Sequence, residues 1–264
     1  MFVSSNRLLI SLRIILLCVM SFFSLASGAT SSAEPSAEIV WVESNGKTNK
    51  LYLAQYNAQK WNKISTPIYS SENAITAPAL GIDKNQNRLL IWTEQRDNKF
   101  VLMMASSNKS ADRTAWSDAQ LFNDYGRENF GASVVRDLTG TIWVFWSASN
   151  SASSDIYVSK KVKASWSNPS KINEQNDVPD SRPEARLSED GNIIVSWSTY
   201  NLQSNTYERV SEKINNELAN INFSLPKDSV LATQVPLPDF LPKRAAAIMH
   251  FPNNYLVQST RVTR

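Results

Sequence analysis

The sequence predicts an all-β protein, a β-propeller of four to five four-stranded blades with room for an incomplete last blade. Two tryptophan ladders carry the prediction. Trp41, Trp92, Trp146 and Trp197 follow one another at steps of 51, 54 and 51 residues, and Trp61, Trp116 and Trp166 at steps of 55 and 50. Between them lie short segments rich in β-branched and aromatic residues, separated by Asn, Asp and Gly turns. A supersecondary unit that recurs at such a period is the mark of a propeller, in which each copy builds one blade.

The third and fourth copies show the unit most plainly. Phe130 to Val135 leads through Asp137-Leu138-Thr139-Gly140 into Thr141 to Trp146, and Arg182 to Leu187 leads through Ser188-Glu189-Asp190-Gly191 into Asn192 to Trp197. Each reads as strand, tight turn, strand. In the second copy Ala77 to Ile82 and Arg88 to Trp92 flank Asp83-Lys84-Asn85-Gln86-Asn87, whose asparagines can take the turn's positive φ angles. Third strands follow at Lys50 to Tyr56, Phe100 to Ala105 and Asp155 to Lys161, and fourth strands start at the second-ladder tryptophans, as in Trp61 to Ile64 and Trp166 to Ile172.

The first copy starts mid-blade, because Ala37 to Val42 matches a second strand and no first strand precedes it. The tail can supply the missing strand through Arg244 to Met249, which would remove an open sheet edge. Tyr255 to Ser259 would then duplicate a second strand, leaving either a fifth, incomplete blade or a tail packed outside the ring. Val210, Ile214, Leu218 and Ile221 fall at helical spacing, yet they also stand where the fourth blade needs its third and fourth strands. The neighbouring copies favour strands. The proline-rich run from Pro226 to Pro242 is a loop or edge.

Residues 1–29 read as a secretory leader, with residues 30–264 as a single propeller domain. Arg7 and Arg13 precede the apolar run Ile14 to Met20, and small residues end the segment at Ala29. The apolar core is short of the roughly 20 residues a span requires, so no membrane span is expected once the leader is gone. This places the protein in the periplasm or outside the cell. Cys18 is the only cysteine and lies in the leader, so the rest of the chain has no thiol for a disulfide or a metal. Removing the leader also takes two of the 27 basic residues and leaves 25 against 24 acidic ones. That near-neutral balance argues against nucleic acid as a partner.

The turns between third and fourth strands resemble those of sialidase-like, Asp-box propellers, whose box reads Ser-x-Asp-x-Gly-x-Thr-Trp. Ser159 to Trp166 keeps the first serine, a hydroxyl residue at Ser165 and the tryptophan in register, and continues as Ser167-Asn168-Pro169. Ser110 to Trp116 keeps Ser, Asp, Thr and Trp but is one residue short, and Ala54 to Trp61 keeps only the length and the tryptophan. No copy has both the aspartate and the glycine. The resemblance spans Ala37 to Asn222. It implies blade-core tryptophans wedged between strands and, for a catalytic member, three arginines on a carboxylate, a tyrosine nucleophile beside a glutamate, and an aspartic acid donor. Arg182-Pro183 resembles the family's arginine-proline signature without the intervening residue. Arg127 and Arg244 could complete the arginine cluster, with Tyr200 or Tyr207-Glu208 as nucleophile, although none sits in a matching motif.

Propeller ligands meet the face formed by the loops that lead into first strands and those that join second to third strands. That rule selects Glu43, Glu94, Arg127, Glu128, Asp180, Arg182, Tyr200 and Arg244 as ligand-binding candidates. Glu43 and Glu94 each stand two residues after a ladder tryptophan, where solvated rim positions are expected and a paired-carboxylate glycosidase is the sharper alternative. His250 is the only histidine, so neither a zinc site nor a Ser-His-Asp triad is expected, and no cofactor is implied. These observations lead to an exported propeller that binds a glycan or another envelope protein through its loop face without catalysis. A small sialidase-type glycoside hydrolase using the same face is the alternative.

Overall fold

A computed structural model describes residues 37–108, 115–125, 128–149, 153–214, 235–252, 254 and 258–264. The leader lies outside these residues, as do Arg127, Ser110 to Thr114, and the stretch from 215 to 234. Eighteen strands and no helix occur among the described residues. β1 (Ala37–Ser44), β2 (Asn49–Asn57), β3 (Lys60–Lys63) and β4 (Tyr69–Ser71) begin the first blade. β5 (Ile75–Ile82), β6 (Arg88–Arg96), β7 (Lys99–Ser107) and β8 (Gln120–Asn123) form the second. The third holds β9 (Glu128–Arg136), β10 (Ile142–Ser149) and β11 (Ser154–Val162), with the short pieces β12 (Ser165–Trp166) and β13 (Ser170–Lys171). The fourth holds β14 (Asp180–Leu187), β15 (Ile193–Asn201) and β16 (Thr206–Ile214). Val210 and Ile214 are therefore in a strand, while Leu218 and Ile221 lie outside the described residues.

The tail completes the first blade. β17 (Ala247–His250) pairs antiparallel with β1, from Glu38 opposite His250 to Trp41 opposite Ala247, and so supplies the first blade's first strand. β18 (Ser259–Val262) then pairs with β17 on its inner side. Of the second strand expected from the tail at Tyr255 to Ser259, residues 255–257 lie outside the described residues, and β18 begins only at Ser259. β1 and β18 flank β17 on its two sides, so the first blade's second-strand place is filled by β1.

Each first-ladder tryptophan centres one apolar cluster. Trp92 packs with Val40, Leu53, Leu80 and Ile248 between blades one and two, and Trp146 with Ile91, Leu102 and Val134 between two and three. Trp197 packs with Val135, Phe145 and Leu187 between three and four. Among the described residues no other blade packs over Trp41. Leu241, Ala245, Met249 and Phe251 of the tail cover it instead, with the Phe240 ring 5.4 Å away. The four first-ladder tryptophans are 0 to 6% exposed, whereas Trp61, Trp116 and Trp166 of the second ladder are half-buried. The blade-core place that the resemblance implies for the tryptophans thus holds for the first ladder, while the second covers blade flanks: Trp166 stands edge-on to Phe122 at 4.9 Å.

The turns between first and second strands follow the Asp and Gly residues that announced them. Asp137 accepts the backbone N–H groups of Thr139 and Thr141 at 2.9 Å each, and Gly140 takes the left-handed φ of 87°. Asp83 accepts from Asn85 and Asn87 in the same manner. Gln86 rather than an asparagine takes the positive φ there, at 65°. At the turn carrying the best-kept box, Ser159 donates to the Ser167 carbonyl at 2.7 Å and so ties the strand to the residue after Trp166.

Candidate functional site

A repeated backbone irregularity shapes the axial end of the loop-bearing face. Ala77, Gly131 and Arg182 all have left-handed φ, at 47°, 70° and 56°, and each stands 15 residues before its ladder tryptophan. Pairing of the first strand to the second skips at each of these places, between Thr76 and Ala79, opposite Phe145 and Ser147, and between Ser181 and Glu184. Arg244, at φ 60°, begins the corresponding stretch leading to β17. A bulge inserts an unpaired residue, bends its strand and raises the local twist. Here the bends spread the first strands around the axis and leave a cavity of about 430 Å³. Ala77, Phe100, Phe130 and Ala245 to Ala247 give it apolar walls, and Arg182 and Arg261 are its charged side chains.

β18 runs through the axis beneath this cavity. Ser259 donates to the Leu80 carbonyl at 2.9 Å, Gln258 donates to the Arg136 carbonyl and accepts from the Arg136 N–H at 2.8 Å each, and Arg261 donates to the Gly131 carbonyl at 3.2 Å. A second cavity of about 210 Å³, lined by Ser133, Ser196 and Ser259, lies on its other side, and Arg261 borders both. Desolvation pushes the Arg261 guanidinium below its ordinary value, the Glu184 carboxylate opposes that shift, and the charges of Arg182 and Arg209 add to it. Glu184 is in turn held by Arg209.

The sequence-selected residues divide between this cavity and structural duties. Arg182 is exposed at the cavity, and Arg244 is exposed just before the Ala245 to Ala247 wall. Glu128 accepts the Phe100 N–H at 3.1 Å, which fixes a cavity-wall residue. Tyr200 stands edge-on to Tyr207 at 5.2 Å, and Tyr207 is 61% exposed at the tip of the β15–β16 hairpin. Glu43 accepts from the Trp41 indole at 2.9 Å and pairs with Lys63 at 3.0 Å. Asp180 is buried, accepting from the Trp197 indole at 2.9 Å and from Asn173 at 2.7 Å.

Glu94 departs from the solvated rim position expected of it, being fully buried. Its carboxylate accepts from Tyr69, Ser71, Asn73, Trp92 and Arg96, all between 3.1 and 3.3 Å. Burial pushes its carboxyl up, but the bonds from Asn73, Trp92 and Arg96 and the Arg96 charge outweigh burial and hold it below the ordinary 4.5. Such a group stays ionised and is a poor proton donor.

Arg261 and the walls at Phe100 and Phe130 were not among the sequence candidates. The two phenylalanines open strands whose positions were legible, so their place on this face could have been read. Arg261 carried no such signal, because β18 has no counterpart in the repeat. His250 Nδ1 lies 2.7 Å from Ser259 Oγ, an arrangement that invites comparison with a nucleophile and its base. The serine proton goes to Leu80, however, so its oxygen accepts from the imidazole. Burial, then the charges of Arg136 and Arg88, push His250 down to about 3 from 6.5. Among the described residues no three His, Cys, Asp or Glu side chains gather as metal ligands, and no helix is long and apolar enough to cross a membrane.

No family model and no curated protein matches the chain. Among solved structures, a thermostable family-43 glycoside hydrolase is 12% identical with a TM-score of 0.49, covering 70% of each chain. An endo-arabinase from Bacteroides thetaiotaomicron is 11% identical with a TM-score of 0.46, covering 88% of this chain and 94% of its own. The Hadza microbial sialidase Hz136 is 10% identical with a TM-score of 0.44, and the match spans 65% of this chain and 43% of that one. The blade assignment itself rests on strand pairing and on the four tryptophan-centred clusters.

Proposed function

We propose that this chain is an exported propeller that binds a glycan at the axial end of its loop-bearing face and does not turn it over. The observation that carries this reading is the commitment of its carboxylates. Glu43 and Glu94, the paired carboxylates that sequence offers, and the candidate Asp180 each accept the N–H of a ladder tryptophan. A glycosidase instead needs two carboxyl groups facing one bond across about 5 to 9 Å. The cavity offers arginines where such acids would stand.

A glycan is favoured by the Tyr200–Tyr207 pair, whose ring faces can stack on a sugar while Asn201, Ser204 and Glu208 supply hydrogen-bonding groups at the same hairpin tip. A protein of the cell envelope is the second reading, favoured by Leu202, 75% exposed on that tip. Glycan-array binding by the chain from residue 30 onward, run beside a fluorogenic sialoside assay, tests the proposal. Retention of a glycan with no hydrolysis above background is expected. Sialoside turnover that Arg182→Gly or Tyr207→Phe abolishes would establish the enzyme instead.

A further inference from the structure

We infer that the axial cavity accepts an acidic group on an apolar body, an aryl or short acyl carboxylate, with Arg182 and Arg261 as its anchors. The inference rests on the cavity being the binding site and names the chemistry of what enters it. Ala77, Pro78, Phe100, Phe130, Ala245 and Val262 supply apolar wall, and among the described residues no carboxylate lines the cavity. A bare sugar ring lodged there would bury hydroxyl groups against methyl and phenyl surfaces at the cost of their bonds to water, so the part that enters is an acidic, apolar substituent of the ligand while its sugar rings stay outside the cavity. An aryl or acyl body would suffer no such loss.

The charge points the same way. Three guanidinium groups, those of Arg182, Arg209 and Arg261, gather around one carboxylate, Glu184, which Arg209 already holds. Among the described residues Arg182 makes no side-chain hydrogen bond or ion pair, and its bonded atom is the backbone carbonyl that accepts from Arg209 at 3.5 Å. Arg261 uses Nη2 on the Gly131 carbonyl and keeps further donors for the cavity. A planar guanidinium fork binds a carboxylate through two parallel bonds, which a neutral ligand cannot match.

Displacement of the fluorescent probe anilinonaphthalene sulfonate by phenylbutyrate and by its neutral analogue phenylbutanol tests this. Phenylbutyrate should displace the probe about tenfold more effectively than the alcohol, the scale of a charge-assisted bond retained in a partly dry site. The advantage should shrink in high salt, disappear in Arg182→Gly and Arg261→Gln, and return in part in Arg261→Lys. Glycine suits the left-handed backbone at 182, so Arg182→Gly decides the matter even if the substitutions at 261 impair folding. Equal displacement by acid and alcohol, indifference to both arginines, or no saturable probe site would overturn the inference. An array without hits, beside selective phenylbutyrate binding, would remove only the glycan reading. A glycan retained equally with and without phenylbutyrate would place the glycan elsewhere and overturn the cavity's role.

Discussion

Burying an indole in a blade takes its N–H from water, and the four first-ladder tryptophans find acceptors by two routes. In the first two blades the acceptor is a glutamate two residues on, Glu43 or Glu94. In the third and fourth it is Asn129 or Asp180, 17 residues back at the start of the first strand. Glu94→Gln should cost about 1 to 3 kcal/mol, the range for disturbing a buried hydrogen-bonded group, because one oxygen that accepts from four donors is at risk of becoming an NH₂. Glu43→Gln, with a half-exposed lysine partner, should cost less than about 1 kcal/mol. Urea unfolding of both variants checks the contrast. Since the folded-state value of Glu94 lies below 4.5, its contribution is complete above that pH and is lost as pH falls through the lower folded value. His250 acts in a higher window. The unfolded chain takes up its proton near 6.5 while the folded chain resists until about 3, so stability declines as pH drops below 6.5. Thermal melts of His250→Asn from pH 7 to 5 should show a flatter decline than wild type, and parallel curves would refute this assignment.

At the scale of strands, the ladders and their turns were legible because a propeller repeats both its packing and its turn chemistry. Alternation along a strand says which side a residue faces but not how deep it lies, which is why Glu94 was expected on the rim. The bulges were illegible for another reason. Only Gly131 of the three equivalent residues advertises a left-handed backbone, while alanine and arginine occupy it at 77 and 182. A left-handed residue other than glycine costs roughly 1 to 2 kcal/mol, so the surrounding pairing has to hold these two in place. Gly81 shows how closely the first strands approach each other. A Cβ at that position would lie 2.3 Å from Val134 Cγ1 on the next blade. Gly81→Ala should therefore destabilise by about 1 to 3 kcal/mol, the usual penalty of overpacking. Gly131→Ala meets only the Arg261 guanidinium at 3.7 Å and should cost about 1 kcal/mol, for backbone strain alone. Denaturant midpoints that rank the two the other way would contradict the packing described between blades two and three.

Across the whole molecule, the tail both completes the first blade and lines the proposed site. β17 completes the first blade, Phe240 and Leu241 cover Trp41, and β18 carries Arg261 into the axis. The closing strand was legible as a first-strand match, whereas the axial strand was not, since nothing in the repeat corresponds to it. A chain ending before Ala247 would leave β1 with an unpaired edge and Trp41 without its cover. It should aggregate or melt without a cooperative transition in calorimetry. The proposed site is at the axial end of the loop face, where bulged first strands and the tail meet. Glycan-array retention by the wild type and Arg182→Gly, with recovered glycans analysed by mass spectrometry, tests that claim most directly. The account predicts a glycan held by the wild type, recovered intact, and bound about tenfold or more weakly by the variant, as expected when a charge-assisted hydrogen bond is lost. Cleaved glycan, or undiminished binding by Arg182→Gly, would contradict it.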